Sequence, residues 1–225
     1  MRPLVSKLCL VAVAVWLAAL TLPSVAVSAT APSRQGLGAG AGHAAAPSRE
    51  LALRQTMRKL WEDHVTWTRL VIVSAAANLP DLDATTGRLL KNQVDIGDAI
   101  KPFYGEAAGN SLAALLRVHI LGAAEILAAA KANDPARLEA AKRAWYANGD
   151  EIAGFLSAAN PKHWPLAGMQ SMMREHLDLT LTEAVDQLHG RYAQSVAGYD
   201  RVHDAILGMA DMLSDGILAQ FPGRP

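Results

Sequence analysis

The chain has almost no cysteine, few aromatic residues and no surplus of either charge, and each scarcity removes a class of function. One cysteine occurs in 225 residues, Cys9, and it lies inside an N-terminal segment that reads as an export signal. A mature chain without cysteine has no disulfides, thiolate metal sites, iron–sulfur clusters or covalently attached c-type haem. The 21 basic and 21 acidic residues balance. With no basic stripe either, nucleic acid is not an expected partner. Alternating β-branched stretches are also missing, which leaves no strands for a nucleotide-binding sheet.

What is present begins with Arg2 and Lys7 ahead of the apolar run LCLVAVAVWLAAL (residues 8–20), Pro23, and the small residues of VSA at 27–29. This is the layout of a cleaved signal peptide over residues 1–29. The run falls short of the about 20 residues that span a bilayer, which argues against an uncleaved anchor. No later segment is expected to hold the protein in a membrane. Residues 30–48, TAPSRQGLGAGAGHAAAPS, are small and aperiodic and read as a flexible leader. Residues 49–222 have the size of one domain with a real core. The protein is therefore expected to be exported, to the periplasm or beyond.

Helical periodicity runs through that domain. Leu53, Met57, Leu60, Trp61, His64, Thr68, Val71, Ile72 and Ala75 follow the i, i+3, i+4 rule and predict a first helix over 49–78. Asp83 is expected to cap a second that Pro102 and Gly105 stop near residue 100. A third is predicted over 111–132, and a fourth opens at Asp134–Pro135, an N-cap and N1 pair, and runs to about residue 158. Pro165 starts a short fifth helix to about residue 177. Thr180 with Glu183 fits a capping box, which predicts a sixth helix over 181–220. The fold class is all-α, an up-and-down helical bundle of about six helices.

An internal repeat aligns the chemistry. LWEDH (60–64), LLRVH (115–119) and MMREH (172–176) each set two bulky apolar residues, two variable ones and a histidine in order. About thirty residues on stand NQVDI (92–96), NGDEI (148–152) and DRVHD (200–204). The first two copies match well and the third less so. His64, His119, His176 and His203 all lie on apolar stripes. Asp95, Glu151 and Asp200 stand beside them as acidic partners. If the stripes share one interior, these seven residues are candidate ligands of a transition metal such as copper or iron, since bundles build such sites from facing helices. Copper suits imidazole and thioether, and Met169, Met172, Met173 and His176 crowd one helix face. The competing expectation is a structural one: buried imidazoles bonded to Asn92 and Asn148 would fix helix register, and the methionines would fill core.

Sharper chemistries fit poorly. There is no Glu-x-x-His for a ferritin-like di-iron centre and no HExxH. DLD at 81–83 matches the Asp-x-Asp of sugar-nucleotide enzymes only formally, because it falls in a helix–helix turn. Trp61 lies on the core stripe, Trp67 lies off it, and Trp164 sits in a Pro-flanked turn that would close one bundle end.

The ordered phrases LWEDHVTWTRLVI, NQVDIGDAIKPFYG, LLRVHIL, WYANGDEIAGFLSAANP, HLDLTLTEAV, YDRVHDAIL and QFP together resemble a family of small exported bacterial helical proteins, some of which carry a glycosyltransferase label. The resemblance spans residues 53–222 and implies an exported all-helical domain. It brings no activity or site residue with it. The expected function is an exported binding protein that takes a metal ion or small ligand in its interior. The alternative is an interaction module with a register-setting polar core. An enzyme is the least supported reading.

Overall fold

Residues 48–223 are described by the computed structural model. The signal segment over 1–29 and the leader, apart from Ser48, lie outside the described residues. Six helices follow one another: α1 (Arg49–Ala77), α2 (Leu82–Tyr104), α3 (Glu106–Lys131), α4 (Pro135–Ala159), α5 (Leu166–Leu188) and α6 (Tyr192–Gln220). No strand occurs among the described residues, and the all-α expectation is met.

Local chemistry sets most of the boundaries. Ser48 accepts a hydrogen bond from the Leu51 amide, and Asp134 accepts one from Arg137, so α1 and α4 start where a side-chain oxygen satisfies an orphan N–H. Asn78, at φ 53°, ends α1 in the left-handed conformation. Gly105, at φ 87°, is the single residue between α2 and α3; a residue with a Cβ would be strained there.

Three expectations need correction. Pro102 does not stop α2. It lies in the last turn, where a missing N–H forfeits one bond, while Gly105 still donates to the Lys101 carbonyl and Phe103 and Tyr104 pack against Phe221. Thr180 is not a cap. It is buried in the middle of α5, and Glu183 reaches across to Arg69 on α1 instead of turning back to the Thr180 amide. The chain breaks later, at His189 and Gly190, the latter with φ 70°. At α2 the cap position is Asp81, without a side-chain bond, and Asp83 falls in the first turn.

A fourth correction concerns hydropathy. α3, with mean hydropathy 1.7 over its apolar window, is long and apolar enough to cross a membrane by length and composition. Its alanines carry much of that value. In the bundle α3 packs between α2 and α4 and presents Leu112, Leu116, His119 and Ile120 inward.

Each helix packs on the next, α6 returns to α1, and α1 also touches α3 and α5 across the middle. The result is a closed ring of three hairpins, α1–α2, α3–α4 and α5–α6. α2 and α3 cross most closely where Gly97 faces Gly109: a Cβ on Gly97 would lie 2.5 Å from the Gly109 carbonyl oxygen. A large core runs through the ring from Met57, Ile96 and Leu112 at one end, past Trp145, to Ile126 near the other. Trp164 closes the first end, pressed against Gly216 of α6.

A candidate imidazole site in the bundle interior

The middle of the core is polar. His64, His119 and His176 are 2%, 3% and 5% exposed, and each comes from the first arm of a different hairpin. In two hairpins the second arm clamps the first in the same way. Asn92 Nδ2 donates to the Leu60 carbonyl at 3.0 Å, and Asn148 Nδ2 donates to the Leu115 carbonyl at 3.3 Å. Both carbonyls belong to the residue four before the histidine, one turn away. A helix carbonyl keeps a second lone pair after its helical bond, so the clamp leaves the helix intact.

The same amides orient the imidazoles. With Asn148 Nδ2 committed to Leu115, its Oδ1 faces His119 Nδ1 at 3.2 Å. His119 must therefore donate from Nδ1, which leaves Nε2 as a bare lone pair on the far side of the ring. In the first hairpin Gln93, beside Asn92, takes the equivalent place. Its Nε2 lies 3.3 Å from His64 Nδ1 and also donates to the Leu89 carbonyl and Asn92 Oδ1. That amide nitrogen has two hydrogens for three acceptors, and it sets His64 Nδ1 as an acceptor.

The rings converge on His176. Its centroid is 5.8 Å from His64 and 6.1 Å from His119. Trp145 stacks on His119 at 5.1 Å and donates Nε1–H to the His119 carbonyl. Trp61 meets His64 edge-on at 5.7 Å. Burial makes all three imidazoles hard to protonate. His64 is held well below the usual histidine range by burial and then by its two neighbours. His119 is lowered to about 3 by burial and His176, against the Asn148 bond, and His176 is lowered to about 4 by burial. All three are neutral at pH 7, the state in which imidazole ligates metals.

The third hairpin has no amide clamp. The buried face of α6 carries Val202, Ile206, Met209 and Ala210, so His176 Nδ1 is buried with no hydrogen-bond partner. Gln93 Oε1, Trp61 Nε1 and Thr180 Oγ1 share that condition. Two cavities flank the imidazole layer. One of about 20 Å³ reaches Trp61 from below, and one of about 40 Å³ reaches Trp145 and Thr180 from above.

Of the seven candidate ligands, three are gathered and four are not. His203 sits on the outer side of α6 with Nε2 3.2 Å from Glu62. Asp95 pairs with Lys91 one turn before it at 2.8 Å, and Glu151 and Asp200 are exposed. Met169, Met173 and Met209 are apolar core, away from solvent and packed among aliphatic residues. Among the described residues, no three His, Cys, Asp or Glu side chains are drawn close enough to hold one metal ion. Two imidazoles on one ion, with nitrogen–metal bonds of about 2.0–2.1 Å, put their centroids about 5–5.5 Å apart. The two measured separations exceed that by less than about 1 Å.

Three contributors were not read from the sequence. Gln93 follows Asn92 in NQVDI and has no counterpart in NGDEI, where the residue after Asn148 is Gly149. The stacking of Trp145 on His119 joins residues 26 apart. The third is a buried ion pair one turn above the imidazoles, in which Arg69 donates to Glu183 Oε1 at 2.7 Å and to Ser195 Oγ at 2.9 Å, with Tyr199 against its guanidinium. Glu183 is the acid of the expected cap at Thr180, and Arg69 stands two residues after Trp67. Asp81 and Asp83 are exposed at the α1–α2 turn and the first turn of α2. They touch no sheet and no cleft in common with the imidazoles. Compared with known protein families, curated proteins and solved structures, the chain matches none.

Proposed function

We propose that this is an exported binding protein whose bundle interior takes a transition-metal ion between His64, His119 and His176. The observation that carries the reading is the convergence of three neutral imidazoles from three separate helices, one of them with an unpartnered nitrogen. Nothing else in the layer competes for a cation: the charged side chains sit above it or outside it. His119 has the tautomer metal ligands adopt, with Nδ1–H fixed by an amide oxygen and Nε2 bare. Copper and iron are the first ions to test, since imidazole suits both and no thiolate or carboxylate is at hand. Binding an ion through His64 Nδ1 needs release of His64 from Gln93.

A second reading has its own observation. Two of the three histidines are already bonded through Nδ1 to amides, as a purely register-setting polar layer would have them. One experiment separates the two. Tag-free protein purified from the exported fraction is loaded with copper, iron or zinc, dialysed and analysed for metal. Near-stoichiometric metal that is lost in a His119→Ala, His176→Ala double variant supports the ion site. Metal-free wild type, with the double variant only less stable, leaves the polar layer as a structural device.

A further inference from the structure

The imidazole layer offers nitrogen donors and no negative charge. The acids around it are matched by cations or lie outside. Glu183 holds Arg69 at 2.7 Å, Asp95 holds Lys91 at 2.8 Å, and Asp63 holds Lys59 at 2.6 Å. Glu62, beside His203, is exposed. No cysteine occurs among the described residues, so no thiolate is at hand. An ion entering the layer therefore keeps its whole charge. The cost of taking an ion out of water rises with the square of that charge, so a dication loses about four times what a monocation of similar size does. Neutral rings that are 2–5% exposed return only the attraction of their lone pairs.

Donor number points the same way. Zinc, iron and oxidised copper take about four to six ligands, in most sites about three of them from the protein. Among the described residues, no three His, Cys, Asp or Glu side chains are drawn together for such an ion. Reduced copper asks for less. Its filled d shell imposes no geometry, its single charge is soft, and about two imidazoles suffice. The layer holds two nitrogens of that kind. His119 Nε2 is left bare by the bond from Nδ1 to Asn148, and His176 Nδ1 is buried with no hydrogen-bond partner. Their ring centroids are 6.1 Å apart. We infer that the ion this layer takes is cuprous, Cu(I), bound by His119 Nε2 and His176 Nδ1. His64 joins only on release from Gln93. The inference rests on the proposed ion site and narrows it to one oxidation state of one metal.

The test sets the mature protein, under argon, against bicinchoninate for Cu(I), and separately titrates it with Zn(II) and Cu(II). Nitrogen-15 NMR of the imidazoles shows which rings carry the diamagnetic ions, and selective broadening shows where Cu(II) sits. The expected result is Cu(I) on His119 and His176, held at least about a hundredfold tighter than Zn(II). Zn(II) or Cu(II) held by the same rings as tightly as Cu(I) would overturn the inference and leave the ion site standing. No ion on these rings would remove both. Asn148→Asp keeps an acceptor for His119 Nδ1–H and adds a negative charge beside it. That variant should cut the preference for Cu(I) over Zn(II) by at least about tenfold, and an unchanged preference would also overturn the inference. If Asn148→Asp does not fold, the wild-type comparison decides alone.

Discussion

His119 donates from Nδ1 to Oδ1 of Asn148 at 3.2 Å, and the direction of that bond is fixed because the other end of the Asn148 amide is held by Leu115. One asparagine therefore joins two helices and chooses a tautomer. Asn148→Leu would strand the buried Nδ1–H of His119, and should destabilise the fold by about 1–3 kcal/mol. A urea double-mutant cycle with His119→Leu should show coupling of roughly 0.5–3 kcal/mol. Additive effects in that cycle would mean the bond carries nothing.

Acid should unfold this protein through its histidines. In the unfolded chain an imidazole titrates near 6.5, whereas in the bundle burial lowers His119 to about 3 and His176 to about 4, and His64 well below the usual range. In the window between, the unfolded chain binds the protons, so stability is whole above about pH 6.5 and is lost as pH falls toward 4. Each histidine contributes up to about 1.4 kcal/mol per pH unit there. Glu183 works the other way, since burial raises its carboxyl despite Arg69, but it is one group against three. The urea midpoint should drop steeply between pH 6.5 and 5, and less steeply in His176→Leu. A midpoint flat across that range would contradict the burial of neutral rings.

Arg69 and Glu183 should behave as a pair that is worse broken than absent. Glu183 is 1% exposed and Arg69 is also tied to Ser195. Arg69→Met leaves a carboxylate uncompensated in the core, and should lower stability by about 3–5 kcal/mol. Adding Glu183→Leu should restore most of the loss, because apolar packing replaces a desolvated pair at little cost. If the double variant is as unstable as the single, the pair contributes net attraction.

The sequence carried the histidines of the first arms and the asparagines of the second, because a bundle hairpin repeats its inward positions and LWEDH, LLRVH and MMREH keep the phase. It misplaced the acids for a reason of the same kind. Asp95 and Glu151 stand three residues after Asn92 and Asn148, a step that swings about 60° around a helix, enough to move a side chain from the interior to the flank. His203 is expected on an apolar stripe, yet α6 buries Val202 and Ile206 on either side of it. The cap at Thr180 had the right residue types, but tertiary contacts decide between a cap and a continued helix: Glu183 found Arg69. Stacking of Trp145 and the two cavities depend on packing across helices, which no local pattern encodes.

Two glycines on α2 should respond oppositely to the same change. Gly87 lies on the exposed face, and a Cβ there would meet nothing within 4 Å. Gly87→Ala only removes backbone freedom from a helix interior and should stabilise by up to about 1 kcal/mol. Gly97 is buried at the α2–α3 crossing, where a Cβ would fall 2.5 Å from the Gly109 carbonyl oxygen and 2.9 Å from the Ala113 side chain. Neither neighbour is the free end of a long side chain, so the two helices must move apart. Gly97→Ala should therefore destabilise by roughly 1–3 kcal/mol despite its better helix propensity. The displacement would reach the imidazole layer, since Gln93 on α2 and His119 on α3 lie on the elements being separated. Thermal unfolding of the two variants beside the wild type measures both signs at once. A stabilised Gly97→Ala would mean that α2 and α3 do not cross this closely in solution.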